Sequence, residues 1–342
     1  RPPALDIGAH ASLIYCIVNC NDIYRTITRS PNFLRILLVG EINFDVVLKG
    51  HHAVPVPGRE ILVEDFTMTL GSSCAITAAG LVRLGNEASY VGKTGDDPGG
   101  RLCLEKMVAL GLDISRVKLD PALKTGVTVS ITSSTDRSLI SYLGATTALT
   151  ASEVGSELFT GYRHLHTSSY FLQTGLHPGF ADLFARATRH GLTTSLDPAC
   201  DPAGEWKSGL DRVLREIDVF LPNEVELAGI TGEKDPVRGL RALENGRTLT
   251  VVKLGARGAM ALKNGVPVSV PAQEIEPLDL TGAGDCFNAG FLHAWLRGME
   301  LAEALRFGVA CGSFSIRGLG GTGAQPTEKE AFDFMRQGIS KT

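Results

Sequence analysis

The sequence predicts an α/β protein with a mostly parallel central sheet, flanked by helices on both faces, and a small β lid. The first observation is the regular alternation, from residue 160 onward, of apolar strand-like runs with helical segments long enough for βαβ units. The second is an apolar run at 36–39 that ends in a glycine, which is typical of a strand buried on both faces. The third is the β-type pattern, without helical periodicity, of residues 46–70 and 122–143, which we assign to the lid.

The first half of the chain contains helices whose ends are marked by glycines. A small, apolar segment at 75–84 predicts a buried helix, and Gly85 suits its C′ position; Gly111 follows the next helix in the same way. The further elements of this half are a strand at 89–91, a helix at 100–110 and a β-hairpin of residues 127–132 and 138–143.

The second half supplies the repeated strand–helix units of the central sheet. Its predicted strands lie at 164–168, 193–197, 217–221 and 249–254, and two closing helices follow at 282–296 and 301–316. No linker or low-complexity tract divides the chain, which predicts one domain over residues 34–335. In such sheets ligands bind outside the carboxyl ends of the strands, so motifs that directly follow strands are the candidates for function.

Composition and charge limit the classes of function. The 342 residues carry a net charge of −4 without long runs of like charge, so neither a nucleic acid nor a membrane is an expected partner. The seven cysteines are odd in number and include no CxxC, which predicts free thiols in a reducing compartment and a cytoplasmic protein. Residues 1–33 have a short apolar patch but no basic lead segment, so we expect an N-terminal extension of uncertain order and no signal peptide.

The strongest chemical motif is Gly282-Ala283-Gly284-Asp285, at the start of a predicted helix. Small residues there leave backbone N–H groups uncovered and backed by the helix dipole, which favours an anion. If the anion is a phosphoryl group in transfer, the Asp285 carboxylate is placed to accept the proton of the attacking hydroxyl. The structural alternative is a tight glycine turn with Asp285 as a helix cap.

Polar residues at two other strand ends are candidates for substrate binding. Asn43 and Asp45 lie two residues apart, point the same way in extended chain and suit vicinal hydroxyls, unless they form an Asx turn. Ser169 ends the 164–168 strand and either contacts a substrate hydroxyl or only terminates the strand. Arg137, in the hairpin link, either reaches an anionic substrate from the lid or is a surface charge in a turn.

These motifs, in this order and at this spacing, resemble the ribokinase, or PfkB, family of carbohydrate and nucleoside kinases. The resemblance covers about residues 34–327. The other motifs that carry it are the glycine start of 71–85, Val91-Gly92-x-x-Gly95-Asp96-Asp97, Asn223-x-x-Glu226 and Lys253-Leu254-Gly255-x-x-Gly258. It implies a ribokinase-like fold and the ATP-dependent phosphorylation of a hydroxymethyl group on a small sugar or sugar-like substrate.

The resemblance also implies roles for single residues. Asp285 matches the catalytic base, and the amides of Gly282, Ala283 and Gly284 match the anion hole. The implied substrate-binding positions are Asn43, Asp45, Gly71 and Ser72. The lid closes over the sugar and, in several relatives, builds a dimer, which implies a homodimer through the lid.

The cofactors implied by the resemblance are ATP, Mg²⁺ and K⁺. The implied nucleotide-binding positions are Asn223, Glu226, Lys253, Gly255 and Gly258. Glu226 matches a residue that holds Mg²⁺ through water, in line with the few protein carboxylates that Mg²⁺ takes. Asp279 and Thr281 match positions that bind an activating monovalent cation.

Departures from the family pattern leave alternatives open. Ser72 replaces a glycine and Ile76 an asparagine, so a sugar contact is lost or the pocket is remodelled. Lys253 replaces a common threonine and either reaches the phosphates or is only solvated.

The alternative functions are a nucleoside or vitamin-precursor kinase and a catalytically idle, sugar-binding regulatory paralogue. A nicotinamide dehydrogenase is disfavoured because the GxGxxG at 318–323 follows a helix.

Overall fold

The computed structural model describes residues 33–50, 57–132 and 137–339, so the predicted extension over 1–33 lies almost entirely outside the described residues. The described strands are β1 (Arg35–Val39), β2 (Asn43–Lys49), β3 (Asp65–Leu70), β4 (Glu87–Gly95), β5 (Asp113–Asp120), β6 (Gly126–Thr132), β7 (Arg137–Tyr142), β8 (His164–Thr167), β9 (Thr193–Leu196), β10 (Val219–Phe220), β11 (Leu249–Lys253), β12 (Ala259–Lys263) and β13 (Val266–Val270). The described α-helices are α1 (Ser73–Arg83), α2 (Pro98–Ala109), α3 (Phe180–Arg189), α4 (Leu210–Leu214), α5 (Glu224–Thr231), α6 (Pro236–Ala242), α7 (Ala283–Leu296), α8 (Leu301–Ser315) and α9 (Glu328–Ile339).

The central sheet confirms the predicted mostly parallel architecture. Its strand order is β13-β12-β11-β10-β9-β8-β1-β4-β5, and every pair from β11 to β5 is parallel. Alternate residues of β1 belong to two different cores: Ile36 and Leu38 pack with α1, α7 and α8, whereas Leu37 and Val39 pack with α3 and α4. Helices therefore cover both faces of the sheet, as a buried parallel sheet requires.

Four of the described elements were not predicted: β5, β12, β13 and α9. β5, with the sequence DISRVKLD, lies at one edge of the sheet and is only partly buried, so its charged residues hide the strand pattern. At the opposite edge β12 and β13 form an antiparallel hairpin on β11. Helix α9 packs on α8 near the end of the described chain.

A second, four-stranded sheet forms the lid, in the order β3-β2-β6-β7. β2 pairs in parallel with β6, and the two outer pairs are antiparallel, so the predicted hairpin of β6 and β7 is confirmed. Asn43 and Asp45 open β2 instead of closing β1, which places them where the chain passes from the central sheet into the lid.

The described cysteines are free, and Cys200 is exposed while Cys74, Cys103, Cys286 and Cys311 are buried. None of the helices in the described ranges has the length and apolar character of a membrane span.

Candidate active site

A cavity of about 1120 Å³ opens at the carboxyl ends of the parallel strands. Asn43 and Asp45 line it from the lid, and residues 282–285 line it from the start of α7. Residues that follow β1, β8, β9, β10 and β11 complete the wall, because parallel strands end at the same edge of the sheet. The structure therefore brings the two predicted clusters together.

The beginning of α7 has the geometry of an anion site. Gly282 precedes the helix with a φ of 74°, and a Cβ there would overlap the backbone of Gly321, so glycine is required twice over. The amide of Ala283 donates to the carbonyl of Leu280 at 3.3 Å, a long hydrogen bond. Such amides at a helix N-terminus, together with the helix dipole, favour negative charge in the adjoining cavity.

Asp285 lies in the first turn of α7 with its carboxylate beside the cavity. Ser73 Oγ donates to Asp285 Oδ1 at 2.5 Å, across 212 residues of sequence. Burial and the negative charge of Asp197 raise the pKa of Asp285 to about 8, although the Ser73 hydrogen bond and the Lys253 charge act in the opposite direction. A carboxylate with a pKa near the working pH is suited to general base catalysis.

Asn43 and Asp45 form one polar pair. Asn43 Nδ2 donates to Asp45 Oδ1 at 3.2 Å, so both side chains point the same way, as predicted for residues two apart in a strand. A Cβ at Gly71 would overlap both side chains, which explains why the chain has glycine where it passes the pair. The amide of Ser72 donates to Asn43 Oδ1 at 2.8 Å and fixes the amide orientation.

Ser72 has a backbone conformation that favours glycine, the residue that the family pattern has at this position. Its φ is 55°, in the left-handed region that L-residues rarely adopt, and hydrogen bonds of its amide and hydroxyl groups hold it there. Besides the amide bond to Asn43, its Oγ donates to the carbonyl of Glu41 at 2.6 Å and accepts from the amide of Ala75 at 3.0 Å as the cap of α1. The Ser72 side chain therefore holds the start of α1 in place next to the pocket.

Ile76 forms an apolar part of one wall of the pocket. Its side chain is 4% exposed and lies against Gly282 and Gly321. An apolar contact thus fills the space between α1 and the anion site, and Ile76 supplies no side-chain hydrogen bond there.

Asn223 and Glu226 form a capping box at the start of α5. Glu226 Oε2 accepts from the amide of Asn223 at 2.8 Å and Oε1 from Asn223 Nδ2 at 2.7 Å, while Asn223 Oδ1 accepts from the amide of Glu226 at 2.9 Å. Glu226 is buried, and burial together with Asp197 raises its pKa to about 7.

Lys253 is not solvated, so that alternative is wrong. Its Nζ lies 2.5 Å from Asp197 Oδ2, and the Lys253 side chain is 12% exposed. Asp197 Oδ2 also accepts from Asn288 Nδ2 at 2.5 Å. Lys253 Nζ is 3.6 Å from the position that a Cβ on Gly284 would occupy, so the ammonium group is next to the anion site.

The comparisons with known proteins identify the family of this chain. The family model for the pfkB family carbohydrate kinase matches residues 34–328. The chain belongs to this family. Ribokinase from Haemophilus influenzae is 25% identical over 306 residues, which cover 87% of this chain and 97% of the relative. Nucleoside kinase from Methanothermobacter thermautotrophicus is 29% identical over 287 residues, 82% of this chain and 89% of the relative.

Solved structures show the same fold. A protein from E. coli, described as a ribokinase II and solved with ATP and Mg²⁺, has a TM-score of 0.79 and 21% identity. The match covers 89% of this kinase and the whole of that chain. The ribokinase-like fold predicted from the sequence is therefore confirmed.

The loop between β11 and β12 of this kinase depends on its glycines. Gly255 and Gly258 have φ values of 57° and 91°, and a Cβ on Gly258 would overlap the carbonyl of Val270. Both glycines line the cavity beside Lys253, which brings backbone close to any ligand there.

Asp279 and Thr281 form a closed loop before α7. Asp279 Oδ1 accepts from the amide and hydroxyl of Thr281 at 2.9 and 2.7 Å, and Oδ2 accepts from the amide of Gly320 at 2.8 Å. Burial would raise the pKa of Asp279, but these hydrogen bonds hold it below the usual value. Within the described ranges no three His, Cys, Asp or Glu side chains converge as a metal cluster, and the monovalent-cation assignment stays a prediction.

Ser169 is buried in the cavity wall with a φ of 56°, and its Oγ donates to Glu41 Oε1 at 2.9 Å. Arg137 opens β7, but its side chain lies outside the described residues, so its proposed reach to the substrate stays a prediction.

Four polar residues of the site were missed by sequence reasoning: Glu41, Ser73, Asp197 and Asn288. Two of these residues could have been predicted from their positions at the ends of strands. Glu41 lies two residues after β1 and Asp197 is the residue after β9, at the edge where ligands bind, so a search for acidic residues at the ends of the predicted strands would have found them.

Proposed function

We propose that this kinase transfers the γ-phosphoryl group of ATP to a hydroxymethyl oxygen of a small sugar or sugar-like substrate. In this proposal Asp285 is the general base and the amides of residues 282–284 form the anion hole. The observation that carries it is the single cavity lined by Asp285, the start of α7 and the Asn43–Asp45 pair.

The chemical step follows from these positions. Asp285 accepts the proton of the substrate hydroxyl, whose oxygen forms a bond to the γ-phosphorus while the bond to the β–γ bridging oxygen breaks and ADP leaves. The 282–284 amides and the Lys253 ammonium stabilise the negative charge on the transferring group. Asn43, Asp45, Gly71, Ser72 and Ser169 hold the sugar, and the lid excludes water.

The nucleotide side has a donor set that fits water-mediated Mg²⁺ binding. Glu226 and Asn223 line the cavity, and one carboxylate with one amide is the sparse set that Mg²⁺ accepts when phosphates and waters supply its other ligands. When bound, Mg²⁺ neutralises charge on the phosphate oxygens. We assign Gly255 and Gly258 to backbone approach to the nucleotide and Asp279 with Thr281 to K⁺.

A nucleoside is the second candidate substrate. A nucleoside kinase is among the relatives, and Tyr142 of the lid lines the cavity, where its ring is available to stack on a base. Phe66, another aromatic residue of the lid, is 63% exposed and is not among the described residues that line the cavity.

A scan of acceptors tests the proposed function. ADP formation is measured with aldoses, ketoses, polyols and nucleosides at saturating ATP and Mg²⁺, and phosphorus NMR identifies the phosphorylated oxygen. We expect Mg²⁺-dependent turnover and a primary phosphate ester with at least one sugar or polyol. Turnover with nucleosides alone would favour the second candidate, and binding without turnover would favour the idle paralogue.

We propose further that residues 34–335 act as one kinase domain and that the lid forms a homodimer interface. Away from the cavity the lid exposes large apolar side chains at Phe66, Met68 and Ile140, which a second copy of the lid is suited to cover. Sedimentation velocity of the purified chain measures the assembly state.

The cytoplasmic location remains a prediction from the cysteine content.

The base assignment predicts a pH profile. The active form of Asp285 is the carboxylate, so kcat/KM is expected to rise with pH and level off above about 8, the pKa that burial gives this group. The Ser73 hydrogen bond lowers that pKa, and Ser73→Ala is therefore expected to move the profile to higher pH. Initial rates from about pH 6 to about pH 9.5 bracket that pKa and measure the shift.

Ser152→Ala is the matched control, because Ser152 is exposed, its Oγ hydrogen-bonds Thr150 Oγ1 at 3.0 Å, and it is not among the described residues that line the cavity. An unchanged profile in Ser73→Ala, with the same plateau, would mean that another group sets the pH dependence.

A further inference from the structure

Glu41 is a buried carboxylate in the cavity wall, directly after β1. Its side chain is anchored through one oxygen: Oε1 accepts from Ser169 Oγ at 2.9 Å and from the amide of Cys74 at 3.3 Å. Its other oxygen, Oε2, has no hydrogen-bond partner among the described residues. Glu41 is 3% exposed and lines the cavity together with Asp285.

The backbone of Glu41 is also fixed. Ser72 Oγ and Tyr90 Oη donate to its carbonyl oxygen, at 2.6 and 2.5 Å. With both its backbone and one carboxylate oxygen held, the residue has little freedom to find a protein partner for Oε2. A buried acceptor without a partner is unfavourable, and a ligand that donates to it recovers the missing hydrogen bond.

The charge of the surrounding wall restricts which ligand that is. The described cavity-lining residues include one ammonium group, Lys253, which is paired with Asp197. The carboxylates that line the same cavity are Glu41, Asp45, Asp197, Glu226, Glu274, Glu276 and Asp285. The anion-binding amides and Lys253 lie at the start of α7, where the transferred phosphoryl group belongs, so the Glu41 side has no described cation to receive a second anion.

We propose that Glu41 is a specificity-determining residue that accepts a hydrogen bond from a hydroxyl of an uncharged polyhydroxy substrate through Oε2 and excludes substrates bearing a carboxylate or a phosphate. This inference rests on the proposed kinase function and narrows its substrate class. An anionic substrate would bring like charge against a buried carboxylate, which is strongly unfavourable. Burial raises the pKa of Glu41 to about 7, so the discrimination is greatest above that pH, where the carboxylate is charged.

Matched acceptors test the proposal on the unmodified protein. Steady-state kinetics at about pH 8 compare ribose with ribose 1-phosphate and glucitol with gluconate, pairs in which the second member adds a negative charge and keeps a free hydroxymethyl group. We expect kcat/KM for the uncharged member to exceed that of the anionic member by at least about 100-fold, the ratio that a like-charge contact of several kcal/mol gives.

Glu41→Gln tests the residue itself. It keeps the shape and an oxygen for Ser169 but removes the charge and puts a donor in place of Oε2. We expect kcat/KM for the uncharged substrate to fall roughly 10–100-fold, the range for a hydrogen bond to a charged group, mainly through KM. The ratio of anionic to uncharged kcat/KM should rise at least about tenfold. Glu105→Gln, an exposed glutamate on α2 outside the cavity wall, is the control and should match the wild type.

The outcomes separate this inference from the proposed function. Turnover of gluconate or ribose 1-phosphate as efficient as that of the uncharged partner overturns the inference while leaving the kinase function standing. A Glu41→Gln variant with wild-type kinetics and wild-type selectivity also overturns it. If no sugar or polyol of either charge is phosphorylated, the proposed function itself fails. The wild-type comparison decides the substrate class even if the variant does not fold.

Discussion

Asp285→Ala is expected to lower kcat by roughly 10²–10⁴, the usual contribution of a general base, while the affinities for ATP and sugar stay within about threefold. The reason is positional. The Asp285 carboxylate faces the cavity shared by the anion site and the Asn43–Asp45 pair, and its pKa of about 8 suits proton transfer near neutral pH. Steady-state kinetics and calorimetric binding of a non-hydrolysable ATP analogue measure the two effects.

A control separates the loss of the base from a loss of structure. Asp211→Asn changes an exposed carboxylate of α4 that pairs with Arg215, the residue after that helix, and should leave kcat unchanged. A near-normal kcat in Asp285→Ala would remove Asp285 from the mechanism, and a large loss of ATP affinity would make it a binding residue instead.

The Asp285 carboxylate supports activity but lowers the stability of the fold. Folding raises the pKa of Asp285 from its ordinary value of 3.8 to about 8, so the unfolded chain releases this proton well before the folded protein does. Its contribution to stability is therefore favourable at low pH and is lost as pH rises from about 4 to 8. Asp285→Asn should accordingly unfold at a higher temperature than the wild type at about pH 8, with the difference shrinking toward about pH 4. Such a gain in stability with loss of activity is typical of active-site residues.

The sequence was sufficient for those parts of the fold that short-range patterns encode. The run at 36–39 was predicted as a strand buried on both faces because four consecutive apolar residues serve two cores, and the structure divides them between the cores in alternation. The glycines after the first two helices also marked helix ends correctly, since Gly85 and Gly111 have φ values of 88° and 84°. The anion motif was readable because its residues are adjacent in the chain.

The side-chain contacts within the site could not be predicted, because they join segments that are far apart in the sequence. Ser73 and Asp285 are 212 residues apart, and Ser169 and Glu41 are 128 apart. Their meeting depends on β1 lying between β8 and β4, an order that no local pattern reports. For the same reason Lys253 left two alternatives open: only the end of β9, two strands away in the sheet, shows through Asp197 that the ammonium group is held inside. β5 was missed because a half-exposed edge strand needs few apolar residues.

Lys253→Met is expected to lower the thermal unfolding midpoint by about 5–8 °C, because it leaves the buried Asp197 carboxylate without its cation. Breaking one side of such a pair is worth about 3–5 kcal/mol, and each kcal/mol shifts the midpoint by roughly 1.6 °C when about 300 residues unfold with an entropy of about 2.1 cal/mol/K each. Burial opposes the charge of both groups, yet the Lys253 pKa stays above and the Asp197 pKa below the usual values, since each holds the other charged. Differential scanning calorimetry near neutral pH measures the change.

The same substitution should reduce kcat/KM by about 10²–10³, the effect of removing one electrostatic group from a charge-stabilising site. Lys253 Nζ lies next to Gly284, and it also lowers the pKa of Asp285, so its loss is expected to move the pH profile upward as well. The loss of the ammonium charge and the shift of the Asp285 pKa can be separated by a second substitution. Asp197 raises the Asp285 pKa and Lys253 lowers it, so the double variant Lys253→Met with Asp197→Asn removes opposing influences on the base.

In the double variant neither position 197 nor position 253 carries an unpaired buried charge. We therefore expect the double variant to regain most of the lost stability. Its pH profile should return toward that of the wild type. Its kcat/KM should nevertheless remain low, because the ammonium group beside the anion site is still missing. Recovery of activity together with stability would show instead that Lys253 serves only as the partner of Asp197, and that the amides of 282–284 stabilise the transferring phosphoryl group without it.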